Sequence, residues 1–315
     1  MNGLKDINRR TNQFIDKASE ETTFPKWWLY VDCIFNCMFR KKSIRDYFIY
    51  KFYYLNRFGK HEYLGGLEQN AWQDAHNDKV MEDILVNKEK CLKHFSGIIT
   101  RDWCGVTENY TEELYKQFEE KHTSAIFKPL TSCGGKGVKI SKLSDVPGGA
   151  YQFCHENQCL MEELIDQCDE FNELYEHSIN TIRIVTLNGE LIGAVLRMGI
   201  GGSKIDNASA GGIMAAVDVK TGVVISVGKT YLCEEYTLHP DTQKIIPGFV
   251  IPQWKECIEY IENAIKMCPG IPCIGWDIAI TPEGPTIVEV NEGTEMELLE
   301  LAYGKGFRRI IRKQC

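Results

Sequence analysis

The sequence predicts an α+β protein in which two α+β units follow an aromatic-rich helical N-terminal region. Three observations carry that expectation. Residues 24–58 hold thirteen aromatic side chains, with seven Lys/Arg against two Asp. From about residue 124 short β runs are separated by glycine-rich turns. A single helical stripe over 253–268 then precedes a closing hairpin.

The N-terminal stretch reads as two helices broken near Arg40, Lys41 and Lys42, with Ser43 as N-cap and Asp46 three residues on. An aromatic, basic helix pair also suits a membrane surface. Packing against the body is the favoured reading, because so many solvent-facing rings would be costly; most are expected to be buried. Strands are expected at 124–130, 138–141, 159–165, 181–187, 191–200 and 213–219, with a helix over 166–176. In the helix over 253–268, Trp254, Cys257, Ile258, Ile261, Ala264, Ile265 and Cys268 share one face behind Pro252. The final hairpin is expected at 274–281 and 285–291. Strands and helices interleave without strict βαβ alternation, which is the reason for α+β. The units are placed at 1–86 (helical), 87–165 (with the glycine-rich loop) and 166–315 (with the terminal hairpin).

Composition narrows the function classes. At 315 residues, 43% hydrophobic and 25% charged, the chain can bury two or three cores and is not of disordered type. A net charge of −8 argues against nucleic acid as partner. The thirteen cysteines include no C-x-x-C pair, which fits reduced thiols better than a disulfide framework. No signal-type or membrane-spanning apolar run is present, so a cytoplasmic location is expected.

Three motifs carry chemistry. In the first, a strand delivers Lys128 to a loop containing Ser132, Gly134, Gly135, Lys136 and Gly137. Without Cβ atoms such a loop can bring backbone N–H groups to phosphate oxygens. It lacks the Gly-Lys-Ser/Thr of a Walker A loop, and Ile140 replaces the third glycine of a dinucleotide fingerprint. A plain hairpin turn is an equal reading of this loop alone. The second motif is the terminal hairpin, whose turn near Glu283 sets Asp277 opposite Glu289, with Asn291 on the same face. Opposed carboxylates need a cation between them, and three oxygen donors on one face suit Mg²⁺. The third is a pair of apolar strands each carrying one arginine, Arg183 and Arg197. Their guanidinium forks match a carboxylate or phosphate; a buried ion pair is the alternative.

Taken together and in this order, these residues resemble the ATP-grasp superfamily, and within it the sugar-transfer-associated branch related to amino-acid and glutamate ligases. The segments 178–186 and 275–281 are the most specific, and the aromatic run 46–55 also resembles that branch. The resemblance implies an ATP-grasp fold, two α+β subdomains clasping ATP under a mobile glycine-loop lid. Lys88 and Lys128 would contact the nucleotide, together with Ser132, Gly134, Gly135, Lys136, Gly137 and Asn180. The segment Glu162, Glu163, Leu164, Ile165 would read the adenine, and Asp169 or Glu170 the ribose. Asp277, Glu289 and Asn291 match the family's positions for Mg²⁺, with Mn²⁺ as an alternative. Asp206, Asn207, Ser209, Gly211 and Gly212 resemble a loop near the acceptor site.

The activity so implied joins a carboxylate to an amine through an acyl-phosphate, with Lys128, Arg183 and Arg197 neutralising developing charge. The branch's association with sugar transfer points to a carboxylated sugar such as a uronic acid, in surface-polysaccharide biosynthesis, and to polysaccharide-assembly enzymes as partners. Two other readings compete: a kinase acting on a hydroxyl, and a nucleotide-binding scaffold for a glycosyltransferase.

Overall fold

The computed structural model describes residues 2–40, 42–132, 134–203, 206 and 211–314. Two antiparallel sheets organise the chain. The smaller has the order β1-β4-β2-β3, from β1 (Trp103–Cys104), β2 (Ser124–Pro129), β3 (Lys139–Lys142) and β4 (Cys159–Glu162). The larger has the order β11-β10-β5-β6-β7-β8-β9. Its strands are β5 (Thr181–Leu187), β6 (Glu190–Met198), β7 (Ile213–Val217), β8 (Gly228–Lys229), β9 (Glu235–Tyr236), β10 (Cys273–Thr281) and β11 (Gly284–Asn291). The architecture is α+β, as the interleaving of strand and helix patterns predicts. The two-residue strands β1, β8 and β9 are too short to leave a period-2 signal and were legible only as loops.

Each sheet has its own core. Helices Glu112–Lys121 and Gly149–Asn157 pack Tyr115, Phe118, Ala150 and Cys154 onto Phe127, Cys159 and Met161 of the small sheet. On one face of the large sheet, Ile182, Ile184, Leu196, Ile213 and Trp276 meet Trp254, Cys257 and Ile261 of helix Trp254–Ile265. Helix Lys88–His94, assigned to the unit 87–165 by sequence, contributes Cys91 and Leu92 to that same large-sheet core.

The opposite face of the large sheet is apolar at one end and charged at the other. Along β5 the side chains on this face run Leu187, Val185, Arg183, Thr181, alternation placing all four on one side. Val185, Leu187, Val195 and Met214 lie under Tyr47, Phe48, Ile49 and Phe52 of the N-terminal region and under helix Glu297–Tyr303. Gly193 is required there, since a Cβ would lie 2.7 Å from Leu299 Cδ2. The terminal hairpin therefore does not close the fold: helices Glu297–Tyr303 and Arg308–Gln314 follow it and help cap this face.

Within 24–58, after helix Asn2–Glu21, two helices run Lys26–Arg40 and Ile44–Ile49, with the expected cap between them. Asp46 N donates to Ser43 Oγ at 3.0 Å, and Ser43 N donates to Asp46 Oδ2 at 2.8 Å. The expectation that most rings of 24–58 are buried is corrected. Tyr47, Phe48, Tyr50, Phe52 and Tyr53 are buried, whereas Trp27, Tyr30, Phe35, Phe39, Tyr54 and Phe58 are exposed. The second helix and the turn after it dock on the sheet; helix Lys26–Arg40 turns its largest apolar stripe outward.

Glu300 ties this cap together. Its Oε1 accepts from Leu64 N at 2.8 Å and Phe307 N at 2.9 Å, while Oε2 is buried without a hydrogen-bond partner among the described residues. Burial pushes its carboxyl from the ordinary 4.5 up to about 7. A folded state that holds the proton more tightly than the unfolded chain is favoured below pH 4.5 and loses that advantage as pH rises through about 7. Glu300→Gln keeps the acceptor and removes the ionisation. At pH 8 it should stabilise the protein by ~1–3 kcal/mol, and at pH 4.5 leave it unchanged, by thermal melts at the two values.

Candidate active site

The charged end of the large sheet is built by strand register. Asp277 of β10 pairs with Glu289 of β11 on one side and with Arg183 of β5 on the other. The pairing of Asp277 with Glu289 agrees with expectation, but its cause differs. The turn is the two-residue Pro282-Glu283, with Thr281 opposite Gly284, and a regular ladder from that turn would set Val288 against Asp277. An irregularity between Asp277 and Ile278 makes Val288 the extra residue and brings Glu289 into line.

Asp277 is buried and held from two sides. Both of its oxygens take the Arg183 fork, through Nε to Oδ1 and Nη2 to Oδ2 at 2.9 Å; Arg197 Nη2 lies 3.2 Å from Oδ2. Burial alone would raise this carboxyl, but Arg183 and Arg197 outweigh it and hold the group below the usual carboxylate range. Arg197 also reaches Asp206 at 3.4 Å and donates from Nε to Thr181 Oγ1 at 2.9 Å, while that hydroxyl donates to Asp206 Oδ2. Burial raises the Asp206 carboxyl, and Arg197 offsets this only in part. The buried-ion-pair alternative for the two arginines is thus part of the picture: the cation expected beside Asp277 is supplied by the chain itself.

A second group lies where the sheets meet. Glu162, at the end of β4, is buried and takes Arg101 Nε at 2.5 Å and Lys128 Nζ at 2.8 Å. Burial would raise its carboxyl; Arg101 and Lys128 reverse that and hold it at about 2. Arg101 Nη1 continues to Ile287 O at 2.5 Å, so this group fastens the small sheet to the terminal hairpin. Lys88 completes the strip: its Nζ donates to Ser132 O in the glycine loop and lies 3.2 Å from Glu289 Oε1. Glu289 in turn acts on both Lys128 and Arg183. Five cations (Lys88, Arg101, Lys128, Arg183, Arg197) thus interleave with four carboxylates (Glu162, Asp206, Asp277, Glu289), and Glu292 acts on Lys88 and Glu289 as a fifth acid.

Several sequence-nominated residues are placed differently. Glu162, expected at a base, has its carboxylate occupied by Arg101 and Lys128. Glu163 N is spent on Asp102 O at 3.0 Å, and its side chain lies 3.4 Å from His122. Ile165 is half-buried beyond the end of β4, and Asp169 and Glu170 are exposed in the first turn of helix Asp169–Leu174. The Asn180 amide is used structurally, donating to Gln167 Oε1 at 3.0 Å, Phe171 O at 2.9 Å and Tyr175 O at 2.7 Å.

Gly134, Gly135 and Gly137 all have positive φ, from 67° to 77°, and Lys136 between them is exposed. Gly212 cannot carry a Cβ, which would sit 2.5 Å from Asp206 O; Gly211 beside it has φ 100°. Asn207 and Ser209 lie outside the described residues. Asn291 is half-buried, its Nδ2 3.5 Å from Gly275 O. Sequence reasoning missed Arg101, Thr181 and Thr294; Thr294 Oγ1 accepts from Arg183 Nη1 at 3.3 Å across Gly275, where a Cβ would collide with it. A glycine two residues before a buried acid was the available signal.

The Glu162 group allows a direct stability test. Glu162→Gln leaves Arg101 and Lys128 facing each other without their anion, and should cost ~3–5 kcal/mol at pH 7. Denaturant melts check this; a midpoint unchanged from the parent would contradict it.

The profile of the family described as sugar-transfer associated ATP-grasp matches residues 142–315, a span that holds the arginine strands and terminal hairpin but not Lys88, Lys128 or the glycine loop. Similar solved structures include the ATP-grasp ligase PsnB complexed with a phosphomimetic variant of minimal precursor, Mg and ADP. It has TM-score 0.47 and 12% identity, over 79% of this chain and 65% of that one. The chain therefore spans less than two thirds of PsnB. D-alanine–D-alanine ligase from Bacillus anthracis is similar at TM-score 0.44 and 13% identity, over 79% and 77% of the two chains. D-cycloserine synthetase DcsG is similar at 0.44 and 10%, over 79% of each. No curated protein sequence matches. With more than half of its length matched to the family profile, the chain belongs to the sugar-transfer associated ATP-grasp family.

Proposed function

We propose that the protein is an ATP-dependent ligase that activates a carboxylate as an acyl-phosphate and passes it to an amine. One observation carries this reading: Lys88 joins the carbonyl of Ser132 in the glycine loop to the carboxylate of Glu289 on the terminal hairpin. The loop suited to phosphate and the acids suited to a divalent ion thereby border one strip, with Lys128, Arg183 and Arg197 along it.

The donor set fits Mg²⁺. Glu289 is half-exposed, Asn291 offers an amide oxygen two residues away, and Asp277 stands opposite Glu289. All are hard oxygen donors. Bound there with ATP, Mg²⁺ would neutralise charge on the phosphate oxygens. To bring an Asp277 oxygen into that set, the Arg183 fork has to slacken, which frees a guanidinium for the substrate's own anion.

The chain's residues then divide the work. Lys88 and Lys128 hold the phosphates, and the loop's N–H groups close over them. Arg183 and Arg197 orient the substrate carboxylate so that its oxygen attacks the γ-phosphorus, ADP departs, and the amine displaces phosphate from the carbonyl carbon. A closed loop keeps water from the acyl-phosphate. The family's description favours a carboxylated sugar as the acid, within polysaccharide assembly.

Glu289→Gln should lower ATP turnover at least ~100-fold with an unchanged melting temperature, because the half-exposed side chain is not part of the core. Asp277→Asn should also lose activity, but with stability, since it strands two buried guanidinium groups. With a uronic acid and hydroxylamine in place of the amine, the product should be a hydroxamate and the nucleotide ADP. AMP as product would exclude the acyl-phosphate, and a stable phosphate ester would establish a kinase.

A further inference from the structure

We propose that Asp102, His122 and Glu163 form a metal site for a divalent transition ion of the Zn²⁺ class, separate from the oxygen donors of the terminal hairpin. Three elements bring them together. Asp102 precedes β1, Glu163 follows β4, and the antiparallel pairing of Trp103 with Glu162 sets the two acids side by side. Glu163 N donates to Asp102 O at 3.0 Å, which fixes that spacing. His122 ends helix Glu112–Lys121, where its backbone N–H donates to Phe118 O at 3.0 Å. Its ring lies against the Phe118 ring, centroids 4.4 Å apart. Backbone and ring are thus held in place before any ion arrives. Alternation turns Glu163 away from Glu162, and so away from Lys128 and the charged strip.

The separations are those of a coordination shell. His122 Nε2 lies 3.0 Å from Asp102 Oδ2 and 3.4 Å from Glu163 Oε2, and one ligand atom from each residue falls within 4.8 Å of the other two. Ligands about 2.1 Å from a common ion stand roughly 3.0 Å apart at an octahedral corner and roughly 3.4 Å apart in a tetrahedron. A hydrogen bond accounts for less. Nε2 carries at most one hydrogen, which can be directed at one carboxylate oxygen, whereas an ion on its lone pair meets both. Among the described residues no other three His, Cys, Asp or Glu side chains converge in this way. The donor types choose the ion: an imidazole beside two carboxylates suits Zn²⁺ and its neighbours, whereas Mg²⁺ takes oxygen. All three side chains are half-buried, which leaves room for water to complete the shell. One competing cation is present. Lys121 Nζ lies 3.2 Å from Asp102 Oδ2, but its side chain is 64% exposed and has room to leave. An ion held there ties helix Glu112–Lys121 to the strand pair β1 and β4 at the point where the chain leaves the small sheet. The inference does not depend on the reaction proposed above.

The test uses the full chain, stripped with a chelator and returned to excess Mg²⁺, which keeps the hairpin donors occupied. Calorimetric titration with Zn²⁺ should give one ion per chain, and that ion should raise the melting temperature by at least about 3 °C. Co²⁺ in its place should show the visible bands of nitrogen and oxygen ligation without the near-ultraviolet absorption of a cobalt–thiolate bond. His122→Asn and Glu163→Gln should each weaken Zn²⁺ binding at least about tenfold. They lie on different elements, so a folding failure of one leaves the other to decide. Lys121→Ala should tighten binding, because it removes the competitor; a plain ion-pair cluster would lose a contact and gain no affinity for metal. Absence of Zn²⁺ binding, binding that neither ligand variant weakens, or a cobalt–thiolate band would overturn the proposal.

Discussion

The row Glu289–Asp277–Arg183, lying across three adjacent strands, is the constraint on which the rest of the site depends. Antiparallel pairing puts these residues side by side only if the hairpin register is right, and one extra residue at Val288 makes it so. Two like charges in one row are unfavourable. The fold answers with cations from elsewhere: Arg183 and Arg197 at Asp277, and Lys88 at Glu289. Each arrives on a different element, β5, β6 and the helix Lys88–His94. The row thereby selects which parts of the chain must converge.

That convergence explains the division of the large sheet's two faces. One face is apolar except for Thr186, which accepts the Trp276 indole N–H at 3.0 Å, and supplies the rigid support. The other is apolar only where the N-terminal region and helix Glu297–Tyr303 cover it, and charged where they stop. The N-terminal region is thus the wall of the site's own face. Its buried half docks through Tyr47, Phe48 and Phe52, and helix Lys26–Arg40 keeps an apolar stripe exposed. In the proposed function, an acid substrate meets a strip already close to charge balance, so binding it requires existing ion pairs to exchange partners rather than new charges to be buried.

Much of this was legible in the sequence because it rests on local pattern. β5 is read to its last residue from alternating β-branched and apolar side chains, and helix Trp254–Ile265 from its stripe. Lys128, Arg183, Arg197, Asp277 and Glu289 were nominated because a charged residue inside an apolar strand is conspicuous, whereas Lys88, on a helix, came only from the family resemblance. What was not legible is partner choice. Arg101 lies in a loop with no pattern around it, yet decides that Glu162 is buried and ionised rather than free to read a base. Asn180, nominated with the family resemblance, gives its amide N–H groups to backbone carbonyls nine and five residues earlier, a use that no local pattern announces. The outward turn of helix Lys26–Arg40 was misjudged for a related reason: thirteen rings imply burial only if the body has surface to receive them, and the second helix takes that surface first.

The central claim is that the glycine loop and the terminal hairpin form one nucleotide site, joined through Lys88. Hydrogen–deuterium exchange of the full chain with and without ATP and Mg²⁺ tests it most directly. The account predicts that 134–142 and 284–291 are protected together on adding nucleotide, and that Lys88→Met removes protection from both. Protection of neither segment, or of only one with Lys88→Met behaving as the parent, would contradict it.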